Sequence, residues 1–172
     1  MSGYPHHLET MVDVPAAPAE LFEYIDDHAR LAGHMTGSSM MMGGSKMRFS
    51  YDEGRGRTVG SKIRMAGSIL GVRLGLEEVV VERAPPLRKA WETVGEPRLL
   101  VIGGYRMGFE IIPQAEGSRL KVFIDWREPE PPWRLLGRLL GRLYAKWCTE
   151  SMASGAADSF RSRRTPHAQA AT

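Results

Sequence analysis

A chain of 172 residues with 42% apolar content suits one globular domain, and at about 150 residues a chain already buries roughly 68–70% of its unfolded surface. The net charge of +3 comes from Arg161, Arg163 and Arg164 near the C-terminus; the remaining 20 basic residues face 20 acidic ones, which argues against a dedicated nucleic-acid binder. The single cysteine, Cys148, rules out an internal disulfide, MSGYPHHLET lacks the regions of a signal peptide, and no run approaches the roughly 18 apolar residues of a membrane span, so a soluble cytoplasmic protein is expected.

In chain order, LETMVDV reads as a first strand that ends before Pro15. Pro18 can open a helix carrying Leu21, Phe22, Tyr24 and Ile25, and HARLAGHM predicts a second short helix ending near Gly33. TGSSMMMGGS then reads as a flexible loop and a candidate gate. From Lys46 to Glu128 the pattern is an antiparallel meander of six strands, with turns predicted at EGRG, near Gly71, at APPL, at GEP and at QAEGS. RLLVIGGYRMGFEII reads as one strand whose odd positions, Leu99 to Ile111, face inward, and RLKVFIDWRE places Leu120, Val122, Ile124 and Trp126 together.

PPWRLLGRLLGRLYAKWCTESM is a long amphipathic helix. At about 100° per residue, Trp133, Leu136, Leu139, Leu140, Leu143, Tyr144 and Trp147 share a broad apolar face expected to meet the sheet, with Arg134, Arg138, Arg142 and Lys146 opposite. Gly137, Gly141 and Ala145 form a flank where another backbone can approach or a ligand can fit. A basic amphipathic helix can also rest on an anionic membrane, but one apolar face cannot serve sheet and bilayer at once, leaving at most peripheral contact through the arginines.

This order resembles the START-like helix-grip superfamily (SRPBCC type), which includes lipid-transfer proteins and polyketide cyclases. VDVPAAPAELFEYIDD, EEVVVERAPPLRKAWETV and the helix beginning PPWRLLGRL carry the resemblance, over about residues 8–160. It implies an α+β fold in which a curved antiparallel sheet of about seven strands wraps a long C-terminal helix, with two short helices after the first strand and an apolar cavity between sheet and helix. Residues 1–160 are read as one such domain and 161–172 as a disordered tail. Where relatives often carry a tryptophan at the end of the second short helix, this chain has His34 and Met35.

Residue types make the same case for a pocket. Met47 and Phe49 share a parity, as do Ile63 and Met65, and Tyr105, Met107 and Phe109; with Ile124, Trp126, Leu140, Tyr144 and Trp147 they are the candidate ligand-binding set. Met35, Met40, Met41, Met42, Met47 and Met65 cluster in the loop and adjoining strands, suiting a wall that adapts to apolar ligands, although ordinary core filling explains any single one. Tyr105, pointing inward, needs a partner for its hydroxyl. One of Glu77 and Glu78 must face inward unless a bulge shifts the phase, and a buried carboxylate is a candidate acid or base. His34 is a third, weaker polar candidate at the pocket mouth.

Other chemistry is missing from the sequence. GRGRTVG and GGSK are turns rather than phosphate-binding loops, there is no GxSxG elbow, and the scattered histidines make no zinc set, so no cofactor or metal is expected. Asp26 with Asp27, and Glu128 with Glu130, read as solvated or capping groups, and Cys148 as a small hydrophobe without a role. The expected function is binding or transport of a small hydrophobic molecule such as a lipid, quinone, sterol-like or polyketide-like compound; the alternative is a cyclase or dehydratase using Tyr105 with Glu78 or His34.

Overall fold

The computed structural model describes residues 3–27, 30, 48–69 and 71–164. In chain order the described elements are β1 (His6–Val14), α1 (Pro18–Ile25), β2 (Arg48–Tyr51), β3 (Lys62–Ile69), β4 (Val72–Ala84), β5 (Arg88–Arg98), β6 (Tyr105–Gln114), β7 (Gly117–Trp126) and α2 (Arg134–Arg164). The seven strands form one antiparallel sheet in the order β1-β7-β6-β5-β4-β3-β2. The second short helix apart from Arg30, the gate loop, His34 and all the methionines from Met35 to Met47 fall outside the described residues.

Two-residue alternation builds the inner face. Leu120, Val122, Ile124 and Trp126 on β7 meet Ile111, Phe109, Met107 and Tyr105 on β6 in register, and all eight are buried. At the β3–β4 turn, Gly71 supplies a φ of 82°, which side chains with a Cβ rarely adopt. Pro18 starts α1, whose Leu21, Phe22 and Ile25 drop onto the core, Phe22 meeting Phe109 edge-on at 5.6 Å between ring centroids.

The β5–β6 connection departs from the sequence reading. β5 runs through the predicted GEP turn to Arg98, and residues 99–104 are a connection, not the start of β6. Ile102, not Val101, is the buried side chain there, followed by the buried Gly103 and Gly104. The path is fixed by backbone bonds from Gly103 N to Arg127 O (2.7 Å) and from Arg127 N to Gly104 O (3.0 Å). At Gly103 a Cβ would lie 3.0 Å from the carbonyl carbon of Glu128, so the segment lies flat on the start of the final connection.

A second correction concerns which face of α2 the sheet receives. Gly137, Gly141, Ala145, Cys148, Thr149, Met152, Ala153, Ala156, Ala157 and Phe160 are buried, whereas Leu139 and Leu143 are 70% and 56% exposed. The predicted flank is the packed face. A Cβ on Gly137 would lie 2.7 Å from Pro129 Cγ, and one on Gly141 would lie 2.9 Å from the Val101 carbonyl oxygen. Backbone meets backbone there, leaving no space for leucine. The hydroxyls of Thr149 and Thr10, 2.8 Å apart, and of Ser159 and Tyr24, 2.5 Å apart, tie the helix to β1 and α1. α2 continues to Arg164, so the first four residues of the segment read as a tail are helical.

Gly141→Leu is therefore expected to overpack this contact and lower stability by about 1–3 kcal/mol. Thermal unfolding checks it; an unchanged Tm would mean that the helix can lift from residues 101 and 102 without loss.

Candidate functional site

The site is built on the inner rows of β3, β4 and β6 and on the adjoining edge of α2. On β4 the buried positions are Leu74, Glu78 and Val80, with Leu76 half-buried between them. Glu78 therefore points inward in phase with Val80, and the pairing irregularities flank it, between Gly75 and Glu77 and between Val80 and Glu82. Its neighbour Glu77 points outward, held by Lys62 Nζ at 2.9 Å and Arg64 Nε at 2.5 Å. Of the two adjacent carboxylates, only Glu78 belongs to the interior.

Tyr105 comes from β6 to meet it. Its hydroxyl donates a hydrogen bond to Glu78 Oε1, and both residues are almost wholly buried. The Tyr105 backbone is fixed by Thr93, whose Oγ1 accepts from Tyr105 N at 3.0 Å and donates to Tyr105 O at 3.3 Å. Burial first, and then the adjacent Glu78 carboxylate, push the Tyr105 phenol well above its ordinary value, so it is a fixed donor at neutral pH.

α2 adds two more polar atoms. The Tyr144 hydroxyl hydrogen-bonds Cys148 Sγ, and both groups lie close enough to Tyr105 to act on its ionisation. Burial pushes the Cys148 thiol up to about 12, which makes it a neutral thiol and no nucleophile. Burial likewise raises Tyr144. Tyr51 on β2 is raised by burial and by the charges of Asp27 and Glu78. Tyr105 thus donates to a buried carboxylate whose charge also reaches Tyr51 and Tyr144, while Cys148 pairs with Tyr144.

That surround has a half-buried rim. Met65 and Leu74 are buried, and Phe49, Val72, Leu76, Leu100, Tyr144 and Trp147 pack on them while staying partly exposed. Phe49 stacks on Tyr51 at 6.5 Å, and Tyr144 and Trp147 lie 5.7 Å apart. Of the sequence candidates, Phe49, Met65, Tyr144 and Trp147 gather at this rim, with Tyr105 and Glu78 inside it and Ile63 fully buried on β3. Met107, Phe109, Ile124 and Trp126 belong to the main core; Trp126 stacks on His6 at 5.2 Å. Leu140 is 41% exposed and turned from the interior, because the sheet takes the glycine stripe instead. His34 and Met47 lie outside the described residues.

Sequence reading missed a buried ionic cluster beneath α1. Lys89, wholly buried on β5, places Nζ 2.9 Å from Asp26 Oδ1 and donates to the Asp26 carbonyl at 2.8 Å, while Arg83 reaches the same carboxylate at 2.8 and 3.2 Å. Asp26 is thus a buried counter-ion rather than a solvated cap. The signal was available: alternation puts Lys89 on the same inward side as Trp91. On the outer face, an open depression of about 460 Å³ lined by Gly3, Tyr4, Val81, Glu82, Glu92 and Arg106 faces away from these rows.

Among the described residues there is no group of three or more His, Cys, Asp or Glu able to hold a metal ion, and no helix is long and apolar enough to cross a membrane. A seven-stranded antiparallel sheet gripping a long C-terminal helix, with a short helix after the first strand, is the START-like helix-grip fold. The chain is similar to the Zhui aromatase/cyclase from Streptomyces sp. R1128 (TM-score 0.67, 14% identity, 94% of this chain and 97% of that one). It is also similar to norcoclaurine synthase from Thalictrum flavum (0.61, 13%, 89% and 84%) and to a protein from Thermus thermophilus (0.61, 16%, 93% and 100%). No protein-family model and no curated protein sequence matches the chain.

Proposed function

We propose that the protein binds and carries a small hydrophobic molecule between sheet and helix, with the polar end of that molecule at Tyr105 and Glu78. The observation that carries this reading is the buried Tyr105–Glu78 hydrogen bond, set behind buried Met65 and a half-buried rim of Phe49, Tyr144 and Trp147. A carboxylate is costly to bury, and an apolar residue at position 78 would fill the same inward place more cheaply. Retaining a carboxylate and phenols there fits a site that orients a ligand hydroxyl or carbonyl, with the apolar wall supplying affinity. The fold shared with an aromatase/cyclase and a synthase is compatible with ligand binding and with catalysis alike.

The second reading, a cyclase or dehydratase, is favoured by the same pair, since the phenol can turn its single proton from Glu78 to a developing oxyanion and leave the freed carboxylate to move a proton. Tyr105→Phe separates the two. The molecule released from purified protein by organic solvent is returned to stripped wild type and variant. A carrier loses the roughly 0.5–1.5 kcal/mol of one neutral hydrogen bond in affinity and converts nothing. Conversion by wild type that falls about 10²–10³-fold in Tyr105→Phe at unchanged affinity would establish the enzyme and remove the carrier reading.

A further inference from the structure

With Gly137, Gly141 and Ala145 against the sheet, the opposite side of α2 has no partner among the described residues. At about 100° per residue, Leu135, Leu139 and Leu143 stand directly opposite that stripe. They are 68%, 70% and 56% exposed. Arg138, Arg142 and Lys146, all exposed, follow along one flank of the leucines, and Leu140, Trp147 and Tyr144 along the other, leading to the rim of the candidate site. Leucines on an outward helix face are the reverse of what water selects.

We propose that this face of α2 is a docking surface for an anionic lipid bilayer. The leucines would enter the boundary between headgroups and acyl chains while the long basic side chains extend along the same plane to lipid phosphates. Arg138 and Lys146, themselves exposed, pair among the described residues with half-buried Glu128 at 3.2 Å and exposed Glu150 at 3.7 Å, solvent-facing pairs for which phosphate competes. Two features favour lipid over a protein occupant. The patch is purely aliphatic, whereas interface cores are enriched in aromatic residues. It also consists of three leucines on one helix, whereas a stable dimer takes roughly 20–30 residues from each partner. The patch runs into the rim at Tyr144 and Trp147, so a docked molecule presents the candidate site to the membrane; that use rests on the carrier reading, the docking itself does not.

The test is co-sedimentation of the full chain with vesicles of phosphatidylcholine, with and without phosphatidylglycerol. The vesicles carry no candidate ligand, so the outcome is independent of whether the protein is a carrier. Wild type is expected to associate with the phosphatidylglycerol vesicles, less so at high salt. Leu139→Gln/Leu143→Gln is expected to lower the partition coefficient about tenfold or more at unchanged Tm. Leu87→Gln, on the exposed β4–β5 turn at the other end of the sheet, is expected to behave as wild type. Absence of association, equal association of the double leucine variant, or binding indifferent to phosphatidylglycerol and salt would overturn the proposal. So would a solution dimer that the leucine variant abolishes, or binding to polyglutamate without binding to vesicles, which would assign the face to a second copy or to an acidic protein.

Discussion

Asp26→Asn is expected to destabilise the fold by about 3–5 kcal/mol, the cost of leaving a buried charge without its partner. The Lys89 side chain has no exposed surface, and among the described residues its ammonium is held by Asp26, through one carboxylate oxygen at 2.9 Å and the main-chain carbonyl at 2.8 Å. Burial lowers the Lys89 pKa, opposed by Asp26, while Arg83 draws on the same carboxylate. Asparagine keeps the shape and removes the charge. Burial alone would raise Asp26, but hydrogen bonds from Arg83 and Lys89 outweigh it and hold the carboxyl below its ordinary value. The sign follows: this stability is present above the unfolded carboxylate value, roughly 3.9, and is lost as pH falls through the depressed folded value. Urea unfolding at neutral pH measures the first effect, and an acid titration of wild type against the variant the second. A loss under about 1 kcal/mol would mean that Lys89 finds water instead, since only a solvated ammonium tolerates the loss so cheaply.

The double substitution Glu78→Leu/Tyr105→Phe is expected to do the opposite to stability and far more to binding. Removing both partners of the Tyr105–Glu78 hydrogen bond orphans neither of those two groups and takes a carboxylate out of the interior, so the fold should hold or gain slightly. If the pair orients the ligand, affinity falls by a charge-assisted hydrogen bond of about 1.5–3 kcal/mol, or roughly tenfold to a hundredfold. Displacement of an environment-sensitive fatty probe, read beside thermal unfolding, measures both quantities. Severe destabilisation with binding intact would make the pair a structural strut.

Much of this was legible along the chain because strands are periodic. The inward rows of β6 from Tyr105 onward and of β7 follow from alternation, and Tyr105 and Glu78 could each be singled out as inward polar groups. That they meet could not be read, because it depends on the pairing of β4, β5 and β6 and on irregularities in β4 that no local pattern announces. The face of α2 was misread for a related reason. Counting apolar side chains points to the leucines, whereas the distance between helix and sheet, set by residues 101, 102 and 129 against Gly137 and Gly141, selects the small residues. Residues 99–104 alternate like a strand but are held by the backbone of residue 127. Asp26 looked like a cap because its partner Lys89 lies 63 residues away.

The most direct test of the carrier reading is a native mass spectrum of the freshly purified protein, followed by denaturation. The account predicts an intact species heavier than the 19.1 kDa chain by the mass of one small molecule. Denaturation should return the bare mass and release an apolar compound bearing a hydroxyl or carbonyl group, and the Glu78→Leu/Tyr105→Phe variant should purify largely without it. A wild type that carries nothing, and that binds no fatty probe when offered one, would contradict the reading: the interior behind Phe49, Met65, Tyr144 and Trp147 would then be packed core.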